Sequence, residues 1–217
     1  MEDVAPAAKP RLRGVFHQVG FFAALLAAGI LVGHASAFGA RVACAVYGVS
    51  LAMLLGVSAL YHRVNWSVAA RQRMRRLDHS AIFVLIAGTY TPLALALDPA
   101  EGARMLTIAW AGATLGVLRA VAWVSAPKWL VAVLAVAMGW LAVFYTAPLQ
   151  RASSTAVVVW MGIGGVLYSL GALIYALKRP DPWPRTLGYH ELFHALVIAA
   201  AAAHYVAISS ALPFIVR

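Results

Sequence analysis

Two histidines one helical turn apart, His190 and His194, are the clearest opportunity for chemistry in this 217-residue sequence. At i and i+4 they share a helix face, so both imidazoles can reach one metal ion. The string His190-Glu191-Leu192-Phe193-His194 also matches H-E-x-x-H, the zinc-protease pattern whose glutamate is the general base. Five residues are a short pattern, and an interfacial polar pair explains them about as well as a metal site. Other groups have to be brought to the same place. Ser58 and His62 form a second i, i+4 pair, and Asp78 and Glu191 alone among the seven acids fall within apolar runs or at their edges. An ionisable side chain costs on the order of 3 kcal/mol at the centre of a bilayer and less near its faces. Each of these groups therefore calls for an explanation.

The bilayer itself is inferred from composition. Hydrophobic residues make up 63% of the chain and charged ones 11%, against roughly a quarter charged in a soluble domain, and the mean hydropathy is +0.83. A crossing helix needs about 20 mainly apolar residues. Seven stretches qualify: 16–34, 42–62, 78–97, 105–124, 129–147, 156–177 and 189–212. The breaks are expected at the basic run 63–76, at the Asp98-Pro99-Ala100-Glu101-Gly102 turn, at Ser125-Ala126-Pro127-Lys128, and at the Pro180-Asp181-Pro182-Trp183-Pro184 cluster. The fifth stretch follows the fourth by a very short connection. The predicted architecture is an all-α membrane protein, a seven-transmembrane-helix bundle over 15–217. Residues 1–14 read as a loose cytoplasmic arm rather than a removed signal peptide.

The net charge of +10 can suggest nucleic acid, but the basic residues sit at the ends of apolar runs, where they act as topology signals. No nucleic-acid partner is expected. With the N-terminus inside, thirteen of the 17 Lys and Arg face the cytoplasm, leaving Arg41, Arg104, Arg151 and Arg217 outside. The asymmetry puts the N-terminus in the cytoplasm and, after seven crossings, the C-terminus outside. The lone Cys44 lies in an apolar run and reads as packing. Gly162-Ile163-Gly164-Gly165 and the many alanines read as close helix–helix contact. Trp66, Trp129 and Trp183 lie near span ends, where the interface suits them.

Orientation gives the polar groups a common depth. The second span ends at the cytoplasm with His62, the third begins there with Asp78 and His79, and the seventh begins there with His190 and His194. Three neutral imidazoles with an open fourth position suit a catalytic zinc and its water. Asp78 then accepts a hydrogen bond from that water or orients it as general base. Ser58 either joins the site or bonds a backbone carbonyl. His79 points about 100° away from Asp78 and reads as a supporting or interfacial group. His204 lies about 21 Å beyond His190 along a helix, in the outer half. His17 and His34 read as interfacial.

Three segments together resemble a known family. Ser58-Ala59-Leu60-Tyr61-His62, Leu77-Asp78-His79-Ser80-Ala81-Ile82-Phe83 running into Ala87-Gly88-Thr89-Tyr90-Thr91-Pro92, and His190-Glu191-Leu192-Phe193-His194 look like the hemolysin III family. That family is the bacterial branch of the progestin and adiponectin receptor superfamily, related more distantly to alkaline ceramidases. The resemblance spans the membrane domain in order. It implies seven helices with the N-terminus inside, in a bacterial inner membrane. It also implies a zinc held by His62, His190 and His194, Asp78 on the metal's water, and Ser58 as the motif serine. The position of Glu191 can be Gln in eukaryotic relatives, which argues against an obligatory base there.

The expected function is a zinc-dependent hydrolase of lipid amide or acyl bonds, ceramidase-like, with membrane lipids as partners and the spans holding an acyl chain. A second reading is non-enzymatic: a membrane-homeostasis or sensory protein, or a hemolysin-type protein, with structural zinc. A wide pore would place polar residues along a helix face at every depth, whereas here they gather at one end. The third reading is the H-E-x-x-H intramembrane protease.

Overall fold

The computed structural model describes residues 9–215, and among them regular structure is helical apart from one isolated bridge between Trp183 and Leu187. Eight α-helices run in order: α1 (Val15–His34), α2 (Phe38–Arg63), α3 (Val68–Ala94), α4 (Pro99–Ala122), α5 (Lys128–Gly139), α6 (Thr146–Ala152), α7 (Thr155–Leu177) and α8 (Tyr189–Ala211). A 3-10 segment, Trp140–Tyr145, joins α5 to α6. Six segments are long and apolar enough to cross a membrane, with Trp129–Ala152 counting as one. Helix α3 is as long as any of them, at 27 residues, but carries Asp78, His79 and four arginines.

Two boundaries differ from the expected ones for the same reason. Helix α3 begins at Val68 rather than near Asp78, so the arginines at 71, 73, 75 and 76 lie on helix and not in a loop. The Ser67 hydroxyl accepts from the Ala70 N–H at 3.4 Å, and Arg, Gln, Met and Ala all favour helix. Likewise Asp98 accepts from the Ala100 N–H at 3.0 Å and Pro99 takes the first helical position, so α4 starts inside the expected turn. Hydropathy marks where a span is apolar, not where its helix begins.

The fifth expected span, 129–147, is not one continuous α-helix. It breaks at Gly139, and Tyr90 of α3 satisfies the freed backbone. Its hydroxyl donates to the Gly139 carbonyl at 2.5 Å, lies 3.2 Å from the Met138 carbonyl, and accepts from the Ala142 N–H at 3.1 Å. Broken helices are tolerated at membrane depth where protein groups take up their backbone hydrogen bonds.

Neighbours in sequence pack as neighbours in space from α1 to α4, and α8 packs against α7, α1 and α3. Helix α1 buries only His17, Ala24 and Leu31, seven residues apart; Val19, Phe22 and Leu26 on its other faces are exposed. Such apolar exposure is what lipid covers. Close approach relies on small residues, as expected, but selectively. A Cβ at Gly116 would overlap the Phe83 ring, and one at Gly164 would overlap the ring of His204. Gly162 meets nothing within 4 Å among the described residues. Cys44 is buried and free.

Of the arm expected over 1–14, residues 1–8 lie outside the described residues. Residues 9–14 run along the α7–α8 connection: the Arg11 and Leu12 N–H groups donate to the carbonyls of Arg185 and Thr186 at 3.0 and 3.2 Å. Gly14 turns this strap into α1 with φ +76°, a left-handed conformation that only glycine adopts freely. A side chain there would also press on His62 and Arg63, whose atoms lie 3.0 Å from its Cβ position.

Candidate metal centre

His62, His190 and His194 come together from the end of α2 and the start of α8. One ring nitrogen of each lies within 4.8 Å of the others, and the Nε2 atoms of His62 and His190 are 3.2 Å apart. A tetrahedral zinc at about 2.0–2.1 Å from each nitrogen needs ligand separations of about 3.3 Å, close to the 3.2 Å between His62 and His190. His190 and His194 are buried and His62 is half-buried. The Nδ1 atom of His194 has no hydrogen-bond partner among the described residues. The donor set and this orphaned nitrogen both fit a metal ion.

The other expected members join them. Asp78, half-buried on α3, and Ser58, buried one turn before His62 on α2, are near enough for the Ser58 hydroxyl to act on the carboxylate. Both line a cavity of about 160 Å³ that also takes in the three histidines and His79. From this polar end the cavity runs between α3, α5, α7 and α8, past Leu85, Val131, Ala135 and Val197, to Tyr90 and Trp140 at the broken helix. Its walls beyond the polar end are chiefly apolar. His204 borders the far part of the cavity and its Nε2 lies 3.3 Å from the Met161 carbonyl; it is not one of the three clustered histidines. His34 is exposed, with Nδ1 at 2.8 Å from the Ile30 carbonyl.

Glu191 is turned elsewhere. It is fully buried, ion-paired with Arg13 of the strap, and accepts from the Gly188 N–H at 2.9 Å, capping α8. It does not line the cavity. Adjacent helical positions differ by about 100°, so two histidines that face a cavity send the glutamate between them to another side.

His17 was expected at the interface and is instead buried against the site. Its ring stacks on His194 with centroids 3.8 Å apart and planes 10° from parallel. Both of its nitrogens are buried without a partner among the described residues. The signal was present in the sequence: His17 lies in the first turn of a span that begins at the same face as His190. The depth argument that gathered the others applies to it equally.

A helical bundle with three converging imidazoles at one end and an apolar cavity behind them defines a membrane protein whose clustered histidines could hold a metal ion, and the family follows. The chain belongs to the family described as Haemolysin-III related, whose model matches residues 6–205; it is an integral membrane protein of that family. It is 30% identical over 195 residues to the hemolysin-3 homolog of Bacillus subtilis strain 168, across 88% of each chain. It is 32% identical over 192 residues to hemolysin-3 of Bacillus cereus, covering 87% of this chain and 84% of that one. A shorter match of 55 residues, 49% identical, links it to the adiponectin receptor protein of Drosophila melanogaster, over 23% of this chain and 12% of that one. The wider receptor superfamily is thereby supported.

Proposed function

We propose that this protein is a zinc-dependent hydrolase of lipid amide or acyl bonds, embedded by seven spans in a bacterial inner membrane with its N-terminus in the cytoplasm. The observation that carries the reading is the convergence of His62, His190 and His194 beside the Asp78–Ser58 pair, at the polar end of an otherwise apolar cavity. When bound by the three histidines, zinc supplies Lewis acidity towards a carbonyl and acidifies a water. Asp78 receives the proton, and the Ser58 hydroxyl holds the carboxylate in the orientation that does so. The apolar wall from Leu85 to Val197 accepts an acyl chain and keeps bulk water from the reacting bond.

The closest competitor among enzymes is the protease. Glu191 tells against it, because a glutamate ion-paired with Arg13 and turned from the cavity is in no position to activate water there. A non-enzymatic reading has one observation in its favour. The strap ties Arg13 to Glu191 and passes Gly14 close against His62, so the histidines sit where α1, α2 and α8 meet. A zinc there can act as a structural pin.

The test compares purified wild type with Asp78→Asn and Glu191→Gln on ceramide-like lipids and on a membrane peptide. Loss of lipid hydrolysis in Asp78→Asn alone supports the hydrolase. A zinc-loaded wild type inactive on every lipid points to the pin, and peptide cleavage abolished by Glu191→Gln restores the protease.

A further inference from the structure

Three arginines gather where α3 and α4 leave the bundle, at the end that holds the histidines. Arg119, in the last turn of α4, lays its guanidinium over the Phe83 ring at 5.8 Å. Gly116, one turn earlier, lets that ring seat against α4. All three guanidinium nitrogens of Arg119 are shut off from solvent and have no hydrogen-bond partner among the described residues, and the same holds for Nε of Arg76. Arg76 and Phe83 are i and i+7 on α3, so they share the face that meets α4. Arg75 is close enough to Arg119 to act on it as a like charge.

Among the described residues this arrangement lacks a counter-charge. Buried charges in proteins are paired, and an arginine cannot escape by losing its proton. The face of Phe83 offsets part of the cost. No acid does: among the described residues the ion pair is Arg13 with Glu191. Basic residues at span ends are ordinary topology signals, but those extend to water or headgroups. Arg119 instead keeps its stem partly exposed and turns its nitrogens inside, where their hydrogen-bonding capacity is unused among the described residues.

We propose that Arg119, with Arg75 and Arg76, binds an oxyanion of the phosphate type, offered by an anionic phospholipid headgroup or by free phosphate. Guanidinium forks match the geometry of such oxygens. The site lies beside the hydrolase centre, Arg75 being one helical turn before Asp78, but does not depend on it.

The experiment uses the full chain in zwitterionic micelles and follows thermal unfolding and bound lipid by native mass spectrometry. The probes are inorganic phosphate, phosphatidylglycerol and, as a neutral control, phosphatidylcholine. Phosphatidylglycerol or phosphate raises the unfolding temperature of wild type, and phosphatidylcholine does not. A rise with inorganic phosphate identifies the free anion as sufficient; a rise with phosphatidylglycerol alone identifies the headgroup. Arg119→Met abolishes the rise and, without anion, melts above wild type, because an uncompensated charge has been removed. Arg75→Gln, a milder change, binds phosphatidylglycerol about tenfold more weakly. Arg73→Gln, at an exposed position on the same helix, keeps the wild-type response. The proposal is overturned if Arg119→Met shows the same anion-dependent rise as wild type, if phosphatidylcholine acts as well as phosphatidylglycerol, or if neither anion has any effect.

Discussion

At the residue scale the site is a division of labour among neighbours in sequence. His190 and His194 face the cavity while Glu191, between them, braces the strap through Arg13 and caps α8. Glu191→Gln is therefore expected to keep its zinc and lose stability. Gln can still accept from the Gly188 N–H, but Arg13, a quarter exposed, loses its partner at a cost of about 1–3 kcal/mol. Thermal unfolding beside a zinc assay separates the two effects, and zinc lost without a drop in stability would contradict them. The stack on His194 gives a second prediction. Groups that orient metal ligands are worth about 10–100-fold in affinity, so His17→Ala weakens zinc binding by about tenfold while His17→Phe, which keeps a flat ring in the slot, recovers most of it. A competition titration with a chelating dye reads this directly. That His62, His190 and His194 gather with Asp78 and Ser58 at one end of the bundle was legible from spacing and depth. His17 shares their depth and was legible on that ground; what the sequence does not carry is its stacking on His194, which depends on how α1 packs against α8.

At the scale of elements, the sequence marks which stretches are apolar but not how their ends are capped or where a helix breaks. The arginines at 71, 73, 75 and 76 look like a loop to hydropathy, yet Ser67 caps a helix that runs through them. The break at Gly139 depends on Tyr90, which is 49 residues away, and no local pattern carries such a contact. That contact is itself testable. Tyr90→Phe leaves the Ala142 N–H and the Gly139 carbonyl unsatisfied in a low-dielectric setting, at a cost of about 1–3 kcal/mol. The expected result is a lower unfolding temperature with zinc binding intact; an unchanged melt would show that the broken helix does not need this hydroxyl. Gly164 belongs to the same scale. Gly164→Ala pushes a methyl group into the His204 ring, and overpacking of this kind costs about 1–3 kcal/mol.

At the scale of the whole molecule, composition alone carried membrane residence, and the distribution of Lys and Arg carried an orientation. That orientation predicts that a reporter fused after Arg217 is active only outside the cytoplasm; an active cytoplasmic reporter would reverse the topology. The proposed metal would link these scales, because His62 and His194 lie on helices far apart in sequence, α2 and α8. An ion bound only by the folded chain adds to its stability, so chelation is expected to lower the unfolding temperature of wild type and to leave His194→Ala unmoved. The central claim is the metal centre itself, and elemental analysis tests it most directly. Wild type purified without added metal should carry about one zinc per chain, and His62→Ala, His190→Ala and His194→Ala should each lose most of it. A metal-free wild type, or full occupancy in all three variants, would contradict the account.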